Sequence, residues 1–150
     1  MNKIFLMVFL ITITLGFTSC DQNRVFEDYH GMSTQQWGIE DTISFVVPPV
    51  TENAKAYMAI RYNDSYDFHN LYVKYIVKDS LSTVLEEEMI NLHLFDSKTG
   101  KPKGDGFGNT YTLFHPIPMK NLGNNYQFIQ YMRQPELDGI EAIGLKIEKD

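Results

Sequence analysis

The chain has 150 residues, a formal net charge of −6 and a single cysteine. That length supports one hydrophobic core rather than two, and a lone Cys20 excludes an internal disulfide framework or a zinc site built on paired cysteines. The acidic balance argues against nucleic acid as a partner, because phosphate contacts need clustered Lys and Arg, and 43% hydrophobic residues are too many for a disordered chain.

Lys3 opens the chain, and an uncharged apolar run follows from Ile4 to Phe17. A spanning helix needs ~20 apolar residues, so this run reads as the h-region of a secretory signal. Thr18, Ser19 and Cys20 come next. Their order resembles the bacterial lipoprotein signal, in which diacylglycerol joins the cysteine sulfur and the chain is cut on its amino side. Residues 1–19 are therefore expected to leave as a signal peptide, with Cys20 as the lipid attachment site. The alternative, an ordinary signal with an incidental cysteine, leaves a free thiol near the start of an exported protein, which acylation removes. The covalent lipid anchors the chain to an inner or outer envelope membrane, and no other cofactor is expected.

Residues 20–41 read as the acylated N-terminus and a polar, irregular tether, in which Val25, Phe26, Tyr29 and Trp37 are the first candidates to pack on a domain. Residues 42–150 read as one domain. Ile43, Phe45 and Val47 share a face until Pro48-Pro49. Residues 56–62 alternate next, and Asn63-Asp64-Ser65 is turn chemistry. Leu71, Val73, Tyr75 and Val77 give the cleanest alternation. Residues 82–91 carry some helical spacing, yet Ile90 and Leu92 alternate with Asn91 and His93, so the segment reads as the start of a strand. Tyr126 to Arg133 and Ile143 to Glu148 alternate as well. Short period-two runs punctuated by Gly, Pro, Asn and Asp predict a small antiparallel β-sandwich.

Catalytic chemistry has no visible residues. His30, His69, His93 and His115 lack metal-ligand spacing, although His69 and His93 are expected on neighbouring strands. Glu86-Glu87-Glu88 with Asp96 and Asp105 supplies carboxylates, but consecutive acids usually form a solvated face, and a glycosidase needs two at a set separation. The glycine-rich stretch around Gly104, Gly106 and Gly108 lacks the spacing and the following helix of a dinucleotide loop. It reads as a connection needing positive φ and close backbone approach, or as a mount that presents Phe107 to a partner. No nucleophile elbow occurs, and no metal is expected. Aromatics are the remaining resource: Tyr62, Tyr66, Phe68 and Tyr72 crowd one segment, and Tyr126, Phe128 and Tyr131 another. Exposed tyrosines make good interface anchors, because they bring large area at little conformational cost.

These features together carry a family resemblance. The cysteine is followed by Trp37, by Arg61-Tyr62-Asn63-Asp64-Ser65-Tyr66-Asp67-Phe68-His69-Asn70-Leu71-Tyr72, and by Gly104-Asp105-Gly106-Phe107-Gly108. The chain closes on Tyr126-Gln127-Phe128-Ile129-Gln130-Tyr131-Met132-Arg133, Leu137-Asp138-Gly139-Ile140 and Ile143-Gly144-Leu145. Across essentially its whole length it resembles the GldH gliding-motility lipoproteins of Bacteroidota. The resemblance implies an envelope lipoprotein tied to gliding and to the type IX secretion apparatus, with no enzymatic activity and no catalytic residue to carry over. A docking subunit is then expected, its partners the membrane and other gliding or secretion proteins of the envelope. Tyr66, Phe68, Tyr72, Phe107, Tyr131 and Arg133 are the expected contacts. Arg133 is placed to reach a partner carboxylate or to tie the 137–140 turn. The rival expectation is an envelope-anchored sandwich that binds or hydrolyses glycans.

Overall fold

A computed structural model describes residues 23–50, 53–118 and 120–149, so the expected signal peptide and Cys20 lie outside the described residues. Period-two burial organises what is described. Among the described residues eleven strands occur in chain order: β1 (Arg24–Gly31), β2 (Gln36–Gly38), β3 (Ile43–Val46), β4 (Ala54–Asn63), β5 (Asn70–Lys78), β6 (Val84–His93), β7 (Asp105–Phe107), β8 (Thr110–Pro116), β9 (Asn125–Gln130), β10 (Glu136–Asp138) and β11 (Ile140–Lys149).

The strands form a five-stranded sheet β1-β11-β4-β8-β7, a four-stranded sheet β3-β9-β5-β6 and a two-stranded ribbon β10-β2. Every pairing is antiparallel, as expected for a sandwich. The larger sheet turns Met58, Ile60, Ile143, Leu145 and Ile147 inward, and the smaller turns in Phe45, Leu71, Val73, Tyr75, Val77, Leu92 and Phe128; all of them are buried in one core. Alternation places these side chains on one face of each strand, and burial of that apolar area drives the two sheets together.

The structure moves the start of the domain. Residues 24–31, expected within the tether, form an edge strand along β11, and Trp37 is fully buried beside β10. The Trp37 indole Nε1 donates to the Asp41 carbonyl at 2.9 Å. A bulge between Arg24 and Phe26 interrupts the alternation of β1, which is why the segment reads as irregular. Of the 82–91 segment, the part from Val84 is extended in β6, as the Ile90–Leu92 alternation indicates, while Ser82, at φ +65°, belongs to the turn before it.

The two ends of the sandwich differ in what they carry. At one end the Asn23 carbonyl accepts from the Lys149 N–H at 2.8 Å and the Ile117 N–H donates to Ala56 O at 2.9 Å. There the Lys120 N–H also crosses to Glu86 Oε2 at 3.0 Å. This end, which carries Asn23, is called the tether end. At the far end the Tyr62 hydroxyl, from the larger sheet, donates to the Leu94 carbonyl beyond β6 at 2.6 Å.

Candidate docking surface

The far end is built on one junction. Asn63, buried, ends β4; its Nδ2 donates to Glu141 Oε1 at 2.9 Å, and its Oδ1 accepts the Ser65 N–H at 2.9 Å. Gly139 sits against this turn with φ +77°, where a Cβ would stand 2.5 Å from the Tyr66 nitrogen. Only glycine combines that φ with that approach. The residue 61–72 segment and the 137–140 turn are thereby fixed to each other.

From this frame the expected contact residues go to different places. Tyr66 is only 5% exposed: its ring meets Phe68 edge-on at 5.7 Å and its hydroxyl donates to Asn70 O at 2.8 Å. Burial raises its hydroxyl pKa. Tyr66 is thus a core residue rather than an exposed anchor, because the turn at Asn63 folds its ring back under the loop. Phe68 is exposed above it and borders a shallow depression of about 390 Å³ with Asp64, Asp67, Phe95 and Asp96. Phe107, 97% exposed, stands on the β7–β8 hairpin. Its loop is Gly108-Asn109, with Gly108 at φ +69°, the sign a II′ turn requires at its first position. A Cβ at Gly104 would meet the Thr112 backbone at 2.7 Å, so this stretch is the close-approach connection its glycines suggest, and it holds Phe107 out.

Tyr72, Tyr131 and Arg133 come together. The Tyr131 N–H donates to the Tyr72 carbonyl at 2.8 Å, and the Tyr72 N–H points at Met132 Sδ, 3.2 Å away. With Met89 these residues line an open, mainly apolar groove of about 380 Å³ on the outer side of the smaller sheet. Ile39, Tyr131 and Arg133 line an adjoining one of about 220 Å³. Gln130, fully buried, shapes the bend: its Nε2 donates to Gln134 O at 2.7 Å and its Oε1 accepts from the Met132 N–H at 2.9 Å. Arg133 follows at φ +59°, exposed and without a hydrogen bond or ion pair among the described residues. It does not tie the 137–140 turn, since Gly139 and Asn63 close that turn by themselves.

Sequence reasoning missed Met89, Met132 and Ile39. Met89 was legible in the alternation, because Ile90 and Leu92 point inward and put it outward. Met132 is brought in only by the β9–β5 register, and Ile39 lay inside what reads as tether.

The groups weighed for chemistry disperse. Glu86 lies near the tether end, where it accepts from the Tyr75 hydroxyl at 2.9 Å, whereas Asp96 and Asp105 lie at the far end. The seven strand steps from Glu86 to His93, at ~3.3 Å each, put about 23 Å between Glu86 and the end that carries Asp96, so they share no cleft. The Thr99 N–H, the Thr99 hydroxyl and the Lys98 N–H all bond Asp96 Oδ1 and hold its carboxyl below the usual value. That is the opposite of what a general acid needs. His69 and His93 stack at 6.4 Å across neighbouring chain segments, and no group of three or more potential metal ligands occurs among the described residues.

Residues 24–147 match the family model described as GldH lipoprotein. The chain is 29% identical to "Gliding motility lipoprotein GldH homolog" of Christiangramia forsetii, over 95% of this chain and 93% of that protein. It is 25% identical to "Gliding motility lipoprotein GldH" of Flavobacterium johnsoniae, over 87% of this chain and 88% of the relative. No solved structure matches it. The family match begins at β1 and ends in β11, so it spans both sheets and the junction between Asn63 and Gly139: the chain belongs to the GldH lipoprotein family.

Proposed function

We propose that this protein is an envelope lipoprotein supporting gliding motility and the associated type IX secretion apparatus, held to its membrane by acylated Cys20 and acting as a non-catalytic docking subunit. The relatives' names support the gliding role. The observation that carries the docking role is the groove of Tyr72, Met89, Tyr131 and Met132 beside Arg133, which has no partner among the described residues. It lies toward the end opposite the tether, where a partner can reach it. Apolar and aromatic side chains around one arginine make a surface suited to protein contacts, and a partner carboxylate would complete Arg133.

Two measurements test this reading. Crosslinking in living cells followed by recovery of the protein from membranes is expected to yield envelope proteins of the gliding or secretion machinery. Recovering none, in a strain where deletion blocks gliding or secretion, contradicts the docking role. Cys20→Ala is expected to release the protein from membranes, and a variant that still sediments with them contradicts the anchor.

A further inference from the structure

We propose that the tether end of the sandwich is a membrane-contact surface that seats on the anchoring bilayer through the Leu81 turn, Val46, Val84 and the lysines around them. The inference rests on the Cys20 anchor proposed above. Asn23 is pinned by its bond to Lys149 and is the third residue after Cys20. At most ~3.6 Å per residue, this leaves about 10 Å between the acylated sulfur's residue and the folded domain. The end that carries Asn23 must then lie close to the headgroups.

That end is built for such a place. The β5–β6 turn holds Leu81 out, 85% exposed. The turn is not slack: Asp79 Oδ1 accepts the Leu81 and Thr83 N–H groups at 2.9 and 2.8 Å. The Asp79 N–H donates to Thr83 O at 3.0 Å. Val46, Val84 and Leu85 are exposed on the same end. An open groove of about 740 Å³ lies beside them, lined by Val50, Leu85, Ile117, Pro118 and Leu122 together with Lys55 and Lys120. Lys55, Lys120 and Lys149 are exposed here and Lys78 is half-buried. Asp79, Glu86, Glu87 and Glu148 lie among these lysines, so the end is close to balanced in charge, whereas the far end sets Glu40, Asp64, Asp67, Asp105, Glu136 and Asp138 against Lys98, Lys101, Lys103 and Arg133 and is acidic. On an acidic chain, a near-neutral end with lysines and projecting apolar side chains is the end suited to an anionic lipid surface, while the acidic far end is repelled from it. Within ~10 Å, the attraction is only partly screened at physiological salt.

The test uses the full-length, acylated protein on vesicles of phosphatidylethanolamine with a minority of phosphatidylglycerol. Acylation blocks the sole native thiol, so a fluorophore on Leu81→Cys or on Phe107→Cys reports one position each. Both sites are exposed, so neither variant disturbs the core. Lipids carrying a headgroup nitroxide are expected to quench the label at 81 and to leave the label at 107 unquenched, the same dye serving as its own control. Equal quenching at both sites, or none at either on vesicles that retain the chain, overturns the seating while the anchor stands. A chain that fails to float with the vesicles overturns the anchor, and the seating with it.

Discussion

Asn63 and Gly139 meet backbone to backbone: the Asn63 N–H donates to the Gly139 carbonyl at 2.9 Å, across two segments far apart in sequence. A Cβ at Gly139 would stand 3.0 Å from Asn63 Oδ1 and closer still to the Tyr66 nitrogen. Because β4 ends and β11 begins at this point, and Tyr66 beside it holds the Asn70 carbonyl at the head of β5, the contact sets where Tyr72 lies relative to the β10 turn. The outer groove therefore depends on a junction it does not contain.

Gly139→Ala is expected to be costly on two counts. A left-handed residue with a Cβ loses about 1–2 kcal/mol, and here the added carbon also strikes backbone. Gly100 has a similar φ of +67° but nothing within 4 Å. Gly100→Ala should thus lose only about 1 kcal/mol, and urea denaturation should rank the two variants in that order with unchanged slopes.

Tyr29 and Gly144 are coupled across the β1–β11 pair. A Cβ on Gly144 would stand 2.6 Å from two ring carbons of Tyr29. The ring carries Arg61 over its face at 5.5 Å and its hydroxyl donates to Glu27 at 3.1 Å. Burial, helped by Glu27, pushes that hydroxyl's pKa up to about 12. Alanine normally gains about 0.5–1 kcal/mol over glycine inside a strand, yet Gly144→Ala should destabilise. In a Tyr29→Ala background most of that penalty should vanish, which a double-mutant cycle on denaturation midpoints would read.

His115 gives stability a pH dependence. Burial, with the charge of His93 second, holds its imidazole below the ordinary 6.5. The unfolded chain therefore binds a proton that the folded one resists. The stability this neutral histidine contributes is whole above pH 6.5 and is lost as pH falls through the depressed folded value. In His115→Gln the decline of the denaturation midpoint across that window should be shallower than in the native chain.

Buried and exposed aromatics should separate cleanly in stability. Tyr66→Ala removes a core ring and should cost about 3–5 kcal/mol. Tyr66→Phe removes only the bond to Asn70 O and should cost about 0.5–1.5 kcal/mol. Phe107→Ala and Tyr131→Ala should stay within about 0.5 kcal/mol of the native chain by thermal or urea denaturation.

The strands with one buried face were legible in the sequence. In β5, Leu71 to Val77 alternate without a break, and β4, β9 and β11 show the same period because each faces the core on one side. The edges were not. Val25-Phe26 sits at a bulge, and β8 does not alternate cleanly because Phe114 lies on the outer side under Lys146, 5.4 Å from its ring. β7 is three residues in a glycine-rich stretch. The candidate site was half legible for a related reason. Aromatic density marks Tyr66 and Tyr131 alike, but burial of the one and exposure of the other follow from the local chain path each occupies. Met89 joins Tyr131 only through strand pairing, which composition does not encode.

The central claim, that the outer groove is a docking surface, is tested most directly by photocrosslinking from single sites in living cells. A photoreactive residue at Tyr131 is expected to form discrete adducts with envelope proteins of the gliding or secretion machinery. One at His30, exposed on edge strand β1 away from the groove, is expected to form none. Adducts absent at Tyr131 in cells that glide or secrete normally, or equally abundant at His30, would contradict it.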